Sequence, residues 1–533
     1  MTTEGLLHWA DFTAAKIIKT YPGQDVFTVA SGITPSGVVH FGNFREVITV
    51  DLVARALRAQ GKKVRFIFSW DDYDTFRKVP KNMPNQEMLE KYLFWPIVDV
   101  PDPYGEQESY ARHHEVVFEQ QLKAMGIEVE FLYQAKKYRS GAYTQSIAHA
   151  LAHRAEIKKI LDTYRTEPLP PDWLPVSLYC EKCHRDRITH MAYQEKDQVL
   201  TYTCDLCGHQ GAEPLAGSQR IKLPWRVDWP MRWAFEKVNF EPGGKDHSSD
   251  GGSYTTAQEI VKLFGHTAPV YLQYDFVSVK GQGGKMSSSK GDLVTVNDVL
   301  QVYTPEMIRW IFASYKSNVD FSISFDADAI RIYEDYDRFQ RLVHGLEPNP
   351  NEKKLAMAKR VYFFSHFKPL PADFTAPTEP LPWQAGMRHM ANVYQIYEGD
   401  TAKVHTYYAD QLKTPEDEQN FQERLKRVAF WLEHYAPDEF KFKANEVPPQ
   451  ITVSDSVKAF VNDLGKALKE ESFATSKDLQ QKIYDLQKQH QIDSKEAFKA
   501  CYQLLISKDQ GPKLAEFIWI LGLPKAAALL QIA

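Results

Sequence analysis

The sequence contains no long hydrophobic run. None of its apolar stretches reaches the roughly 18 residues needed to cross a bilayer, so it predicts no membrane partner. The first residues, MTTEGLLHWADFTAAK, have neither a basic n-region nor a long apolar h-region, and they therefore give no indication of secretion. These absences disfavour membrane and secreted classes, and we expect a cytoplasmic protein.

Cysteine is scarce and the net charge is small. The 533 residues include five cysteines, four of them in two C-x-x-C pairs. This pattern fits metal ligation in a reducing compartment better than a disulfide framework. The formal net charge is −5, so bulk charge does not indicate a nucleic-acid partner, and any such surface must be a local patch. The length exceeds what one hydrophobic core holds, which predicts several domains.

The stretch Ser31–Glu46, SGITPSGVVHFGNFRE, is the most informative part of the chain. A strand-like run, Phe27–Ala30, leads into this turn, and a helical pattern of apolar residues follows from Phe44. The free N–H groups of a helix N-terminus attract anions, and His40 and Asn43, one turn apart, would add two side-chain donors. An ordinary βα turn is the alternative interpretation.

A second buried-strand pattern, Lys63–Trp70, ends in the acidic run Asp71–Asp74. Strand, helix and strand at this spacing form a βαβ unit, which implies a parallel sheet with ligands at the carboxyl ends of its strands. The acidic residues are therefore candidates for substrate binding, although helix capping is the commoner role of an aspartate in such a place.

Two C-x-x-C pairs interrupt this α/β pattern: Cys180 with Cys183, and Cys204 with Cys207. Each pair bends the chain so that two thiolates face one ion, and two such pairs make a tetrahedral zinc site. Four protein ligands leave no open position for water, so we predict a structural Zn²⁺. A neighbouring histidine could replace one cysteine, but the even set of four makes that unnecessary.

The α/β pattern returns at Ile221 and includes the turn Gly243-Gly244 and a strand-like run, Val270–Val279. This run leads into the loop Gly281–Gly291, GQGGKMSSSKG. The loop is not a Walker motif, because Met follows Lys285. Its two lysines and three hydroxyls nevertheless suit polyphosphate binding, with a flexible solvated loop as the alternative.

Beyond about residue 330 the strand pattern stops and helical periodicity takes over. The predicted helices span 331–346, 353–367, 420–436, 454–472, 476–490, 494–507 and 513–522. The segment Lys353–Lys368 has five lysine or arginine residues, no acid and several aromatics. That composition suits contact with RNA bases or, slightly favoured, a solvated basic helix face.

These motifs together resemble the class I aminoacyl-tRNA synthetases. His40-Phe41-Gly42-Asn43 resembles their HIGH signature, and Lys285–Ser289, KMSSS, resembles their KMSKS signature, in the same order along the chain. In combination with SWDDYD, LPWRVDWP and GGKDHSSDGGSY they are most similar to the class I lysyl-tRNA synthetases. The likeness is dense in the α/β part, and in the C-terminal part it extends only to helical character.

Patterns and resemblance together predict an α/β fold. It consists of a parallel-sheet Rossmann-like catalytic domain with an inserted zinc-ribbon module, followed by an all-α C-terminal helical domain. The expected limits are 1–165 and 221–330 for the two halves of the catalytic domain, 166–220 for the inserted module, and 331–533 for the helical region. The resemblance implies that this last region binds the tRNA anticodon.

The resemblance implies a lysine–tRNA ligase, which activates lysine with ATP and transfers the lysyl group to the 3′ end of tRNA(Lys). Its partners would be L-lysine, tRNA(Lys) and ATP with Mg²⁺, and no DNA. The implied catalytic residues are His40, Asn43 and Lys285. The implied ATP-binding residues are Pro35, Ser36, Gly37, His40, Gly42, Asn43, Gly243, Gly244, Lys285, Met286, Ser287, Ser288, Ser289 and Lys290. The implied lysine pocket contains Gly32, Thr34, Trp225, His247 and Tyr274.

Two positions depart from the signatures. Asn43 replaces the second histidine of HIGH and keeps a hydrogen-bond donor without the charge. Ser288 replaces the second lysine of KMSKS, and Lys290 follows two residues later. Asp72 and Asp74 are the candidates for binding the substrate's ε-ammonium, with no decision between them.

Two alternatives remain open at this point. One is a class I synthetase of another specificity, glutamyl or arginyl, and the other is a synthetase-like protein that binds tRNA without charging it. Archaeal relatives also resemble the chain around Asp102, Glu106 and His113, where a second metal can sit. Gln107 replaces an expected histidine ligand there, so we expect no second metal.

Overall fold

A computed structural model describes residues 7–245, 247–248, 251–281, 293–348 and 351–532. The first elements are α1 (Trp9–Thr20), β1 (Val26–Ile33), α2 (Phe41–Ala59), β2 (Lys63–Trp70), α3 (Gln86–Glu90), α4 (Tyr110–Ala124), β3 (Glu130–Tyr133), α5 (Gln134–Arg139), α6 (Thr144–Ala152) and α7 (Arg154–Asp162). They are followed by β4 (Ser177–Leu178), β5 (His190–Gln194), β6 (Val199–Thr203), β7 (Gln210–Pro214), β8 (Ile221–Lys222), α8 (Trp225–Glu236), β9 (Val238–Gly244), α9 (Ser253–Leu263), β10 (Val270–Tyr274) and β11 (Val277–Val279).

The remaining elements are helical except for one short strand. They are α10 (Val296–Val302), α11 (Pro305–Ser314), β12 (Phe321–Ile323), α12 (Asp328–Val343), α13 (Glu352–Ser365), α14 (Met387–Ile396), α15 (Thr401–Tyr408), α16 (Pro415–His434), α17 (Asp455–Glu470), α18 (Ser476–Gln489), α19 (Ser494–Ile506), α20 (Leu514–Leu521) and α21 (Leu523–Leu529). None of the described helices has both the length and the apolar content that a bilayer crossing requires.

Within the described residues, five strands form one parallel sheet in the order β10-β9-β1-β2-β3. Strands from before and after the cysteine-bearing segment (residues 166–220) thus share one sheet. The chain leaves the central strand β1 toward β2, whereas β9 joins β1 on its other side. Ligands of such doubly wound sheets bind where the strand order changes direction, outside the carboxyl ends. A ligand site is therefore expected just beyond the carboxyl end of β1.

Helix α2 follows β1 and is surrounded by protein. Every residue from Phe44 to Leu57 is buried except Glu46. A helix that is apolar on nearly all sides packs inside a unit rather than on its surface. Glu46 is the one residue of this stretch that is only partly buried.

Buried charges fix α2 relative to the elements around it. Asp51 accepts a hydrogen bond from Arg55 at 3.0 Å and pairs with the fully buried Arg309 of α11. Arg45 donates to the carbonyl of Ser317, at 2.7 Å, in the turn after α11. An unpaired charge at such depth would cost several kcal/mol, so these pairs hold α2 against α11 and the turn that follows it.

The described chain divides into two compact units. One comprises residues up to 323 together with 348–377, and the other comprises 324–347 with the chain from 378 onward. The first contains the parallel sheet, the cysteine-bearing segment and α13. The second is helical and includes a buried ion pair in which Arg424 donates to Asp337 at 2.6 and 2.7 Å.

Two elements differ from the sequence patterns. The run Val270–Val279 forms two strands, because the N–H of Asp275 donates to Ser317 O at 2.9 Å and β11 pairs with β12 instead of extending the main sheet. Helices α14 and α15 lie in a part of the chain where the apolar spacing gave no helix prediction. The predicted helices beyond residue 330 are present, each with its ends within a few residues of the predicted limits or, for α16, with an earlier start.

Candidate active site

A cavity of about 460 Å³ opens beyond the carboxyl end of β1. This size is suitable for a small-molecule ligand, and the position is the switch point of the sheet. Ten residues that the resemblance implied line it: Gly32, Thr34, Ser36, Gly37, His40, Gly42, Asn43, Trp225, His247 and Tyr274. Glu46, Asp71 and Asp74 also line it. The fold thus brings segments far apart in the sequence to one place.

The N-terminus of α2 forms one side of the cavity. The N–H of His40 donates to Asn43 Oδ1 at 3.2 Å, and the N–H of Asn43 donates to His40 O at 2.9 Å. The first bond fixes the Asn43 side chain at the first turn of α2, and the second closes that turn through the backbone. The N–H of Phe41 donates to Val294 O at 2.7 Å, which attaches the start of α2 to the chain that follows the Lys285 loop. The helix end, with its positive dipole, therefore faces the cavity.

Glu46 is the less buried residue of α2, because its side chain borders the cavity. Its Oε1 accepts from Ser31 Oγ at 2.8 Å and from Gly32 N at 3.0 Å, while Oε2 accepts from the Tyr274 hydroxyl at 2.7 Å. Burial raises the pKa of Glu46, and these three hydrogen bonds work against that rise. The carboxylate is thus held at the cavity wall by neutral donors.

The other two cavity carboxylates have cations beside them. Asp71 accepts from Arg232 Nη1 at 2.6 Å. Asp74 accepts from Lys222 Nζ at 2.5 Å and from Thr34 Oγ1 at 3.2 Å. Burial alone would raise the pKa of Asp74, but the Lys222 ammonium outweighs it and lowers that pKa. Each of these two carboxylates thus has a cation within hydrogen-bonding distance, and Arg232 also pairs with Asp228 at 3.0 Å.

Asp72 points away from the cavity. It is 3% exposed, and its Oδ1 accepts the N–H of Ala135 at 2.7 Å. Burial raises the pKa of Asp72 to about 8, so the side chain is mainly protonated at neutral pH. Two aspartates were candidates for binding the ε-ammonium of lysine. Asp72 does not line the cavity, and Asp74 already forms an ion pair with Lys222.

Aromatic rings form another wall. Trp225, the first residue of α8, stacks on Trp229 with ring centroids 5.0 Å apart. The Arg232 guanidinium lies over Trp225 at 5.3 Å, and the ring of His247 is 6.0 Å from that of Trp229. The same arginine thus supports both the aromatic wall and Asp71.

The described residues that line the cavity do not include Pro35, Gly243 or Gly244. Gly243 has a packing role, because a Cβ built there would lie 2.2 Å from the Tyr271 hydroxyl. Gly244 accepts a hydrogen bond from Ser248 Oγ at 3.1 Å. The residues Lys285, Met286, Ser287, Ser288, Ser289 and Lys290 lie outside the described residues.

The four cysteines come together as the spacing predicts. The sulfur atoms of Cys180, Cys183, Cys204 and Cys207 all lie within 4.8 Å of one another. The Cys180–Cys207 and Cys183–Cys204 sulfur separations are 3.7 and 3.6 Å. These separations are far longer than a disulfide bond and match the roughly 3.8 Å between thiolates on one tetrahedral Zn²⁺. The cluster can hold a metal ion.

The two halves of the cluster repeat one backbone geometry. His184 N donates to Cys180 O at 2.8 Å, and Gly208 N donates to Cys204 O at 2.9 Å. Both donor residues are left-handed, with φ of 59° and 68°. Each C-x-x-C therefore makes the same tight turn, and this turn is what directs two sulfurs to one point.

Asp102, Glu106 and His113 lie near one another without forming a comparable cluster. His113 Nδ1 is 3.4 Å from Asp102 Oδ2 and 3.8 Å from Glu106 Oε2. Asp102 Oδ2 also accepts the N–H groups of Glu106 and Gln107, each at 2.8 Å. Among the described residues, the cysteines are the group of ligands close enough together to hold a metal ion.

Sequence reasoning missed Glu46, Lys222 and Arg232 as parts of the site, whereas Asp71 belongs to the acidic run that it marked for substrate binding. A signal was present for Glu46, which is an acid in the first turns of α2, three residues after Asn43 and so on the same face. Lys222 and Arg232 carried no local signal, because their roles depend on contacts with residues more than a hundred positions away.

Comparisons with known proteins agree with this arrangement. The family described as tRNA synthetases class I (K) matches residues 7–368. The lysine–tRNA ligase of Borrelia garinii subsp. bavariensis is 47% identical over 97% of this chain and 98% of its own length. That of Treponema pallidum is 43% identical over 99% of each chain.

Among solved structures, a glutamate tRNA ligase from Elizabethkingia meningosepticum is 12% identical, with a TM-score of 0.45 over 95% of this chain and 98% of its own. That likeness is too low to bear on substrate. The family match covers most of the chain and the curated relatives match nearly all of it. The chain therefore belongs to the class I lysyl-tRNA synthetases.

Proposed function

We propose that the protein is a lysine–tRNA ligase that forms lysyl-adenylate from lysine and ATP and then transfers the lysyl group to the 3′ end of tRNA(Lys). The observation that carries this proposal is the cavity at the switch point, where the HIGH-like helix start, an aromatic wall and the carboxylate of Glu46 meet. Family membership supports the reaction type and the partners.

Glu46 is the residue that we propose to bind the ε-ammonium of lysine. Asp71 and Asp74 form ion pairs with Arg232 and Lys222, whereas the hydrogen bonds described for Glu46 come from neutral groups. A bound ammonium would pair with the Glu46 carboxylate. A charge-assisted hydrogen bond of this kind is about twice as strong as a neutral one.

The apolar stem of lysine would lie against the aromatic wall. Trp225 borders the cavity, and so does Tyr274, which donates a hydrogen bond to Glu46. A four-carbon stem with a charged end suits such a combination of ring and carboxylate. Gly32, Thr34 and His247 would then surround the amino-acid end of the substrate.

ATP would bind on the side formed by the start of α2. His40, Asn43 and the N–H groups near Gly42 are donors suited to phosphate, and Pro35, Ser36 and Gly37 form the turn before them. Lys285 and Lys290 would neutralise charge on the phosphates, and Mg²⁺ would accompany ATP. The first step then depends on alignment of the carboxylate with the α-phosphate and on charge stabilisation.

The remaining parts of the proposal concern the metal, the tRNA and the compartment. We propose that Cys180, Cys183, Cys204 and Cys207 hold a structural Zn²⁺, and that the helical region, 331–533, binds the anticodon end of the tRNA. We place the protein in the cytoplasm, where thiolates stay reduced.

The test is ATP–pyrophosphate exchange with each of the twenty amino acids, with and without tRNA. We expect lysine, and no other amino acid, to support rapid exchange. Exchange with glutamate or arginine in place of lysine would assign another class I specificity. No exchange with any amino acid, together with retained tRNA binding, would identify a synthetase-like protein that does not charge.

A further inference from the structure

Three side chains from the cysteine-bearing segment and the strand that follows it hold the chain just after β2. Tyr179, next to Cys180, donates to the carbonyl of Tyr73 at 2.9 Å. Thr75 donates to Asp186 Oδ2 at 2.7 Å. Lys222 Nζ donates to Tyr73 O at 3.2 Å. Residues 73–75 are therefore attached on both sides of Asp74.

Lys222 is placed by the same part of the chain. It lies on β8, where it pairs with Ser177 of β4, the strand that leads to Cys180. The residue is 8% exposed, and its ammonium is 2.5 Å from Asp74 Oδ1. A lysine so deeply buried is tolerated only with a charged partner, so the pair fixes Asp74 as firmly as it fixes Lys222.

Asp74 in turn orients a pocket residue. Its second oxygen accepts the Thr34 hydroxyl at 3.2 Å, and both residues line the cavity. Without Lys222, Asp74 would be an unpaired carboxylate at the wall of a site that attracts an ammonium. It would then compete with Glu46 for the substrate's side chain.

We propose that Lys222 is a positioning and specificity-determining residue of the lysine pocket. It holds Asp74 against Thr34, and it neutralises Asp74 so that the substrate's ammonium binds at Glu46. The inference rests on the proposed function, and it makes the cysteine-bearing segment a structural support of the amino-acid site.

The experiment compares the wild-type protein with Lys222→Met, Lys222→Arg and the double variant Lys222→Met/Asp74→Asn. Lys196→Met, at an exposed position in the turn between β5 and β6, is the matched control. The KM values for lysine and for ATP are measured by ATP–pyrophosphate exchange, with the melting temperature and the zinc content of each protein.

We expect Lys222→Met to raise the KM for lysine about 10- to 100-fold, the scale of a displaced positioning group, with the KM for ATP and the zinc content unchanged. Removing the competing charge should make the double variant bind lysine better than Lys222→Met. Arginine, which keeps the charge, should raise the KM for lysine less than methionine does.

An unchanged KM for lysine in folded Lys222→Met would overturn the inference. So would equal increases in both KM values with no recovery in the double variant, because that result indicates general damage to the fold. If Lys222→Met does not fold, the same comparison is made between Lys222→Arg and the double variant, and equal lysine and ATP effects in both again overturn the inference. Absence of lysine-dependent exchange in the wild type would instead refute the proposed function.

Discussion

The hydroxyl of Tyr274 donates to Glu46 Oε2 at 2.7 Å. This bond joins the last residue of β10 to the buried helix α2 across the mouth of the sheet. Because the other oxygen of Glu46 is bound to Ser31 and Gly32, one carboxylate connects β1, α2 and β10 around the cavity.

Glu46→Gln should raise the KM for lysine by about 10- to 100-fold. A hydrogen bond to a charged group contributes about 1.5–3 kcal/mol, and 1.4 kcal/mol corresponds to tenfold in affinity. The KM for ATP should change little, because the amide keeps the shape of the side chain. Glu167→Gln, at an exposed position, is the control. A variant with the wild-type KM for lysine would exclude Glu46 as the partner of the ammonium.

Lys285→Ala should lower the rate of lysine activation by about 10²–10⁴-fold, as expected when stabilisation of transition-state charge is lost. Single-turnover formation of lysyl-adenylate measures this step directly. Lys290→Ala should have a comparable effect only if Lys290 replaces the second lysine of the KMSKS signature. Near wild-type exchange in Lys285→Ala would refute the assignment of this loop.

The purified protein should contain about one Zn²⁺ per chain, as four thiolates bind one tetrahedral ion. Cys183→Ser should lose this metal and melt at a lower temperature, because ligation contributes to folding. Cys501→Ala, outside the cluster, should keep its zinc. Elemental analysis that gives two equivalents would contradict our expectation that Asp102, Glu106 and His113 bind none.

Asp72 should make stability depend on pH. Burial raises its pKa from 3.8 to about 8, so between these values the folded state keeps a proton that the unfolded chain has lost. Stability should therefore fall as pH rises from about 5 to about 8. Asp72→Asn has the shape of the protonated acid and keeps an acceptor for Ala135 N. As the pH rises from about 5 to about 8, the melting temperature of Asp72→Asn should therefore fall less than that of the wild type.

The matched control for that measurement is Asp197→Asn, at an exposed position. Glu115, whose pKa burial raises to about 7, adds a slope of the same sign, and because its charge also raises the pKa of Asp72, the comparison measures the Asp72 proton together with this coupling. If the melting temperatures of the wild type and Asp72→Asn fall equally as the pH rises, the proton on Asp72 does not contribute to stability.

Local patterns were sufficient for much of the fold. The limits of β2 follow from one apolar run, and the Thr475–Asp478 capping box marks the start of α18. The two C-x-x-C turns define the cysteine cluster, because sulfur positions depend mainly on the turn that each pair makes. His40 and Asn43 both border the cavity because they lie at the N-cap and in the first turn of the same helix, α2, which begins there.

Other features depended on contacts between distant segments. Helix α13 carries the basic run that was a candidate for RNA contact, yet Arg360 binds Asp11 of α1 at 2.9 Å and lies over the ring of Phe363. No sequence pattern indicated that pairing. The chain turns at Asp275 for a similar reason, since its N–H bonds to a carbonyl more than forty residues away.

The sequence by itself determined the chemistry that is available: the helix start, the cysteine ligands and the two signatures. Only the tertiary structure decided which partners each carboxylate near the cavity has, and our proposal for Glu46 rests on those partners. Asp71, Asp72, Asp74 and Glu46 are all acids close to the signature, and local sequence cannot rank them. Their partners are Arg232, Ala135, Lys222 and Tyr274, all distant in the chain, so only the fold brings each acid to its partner.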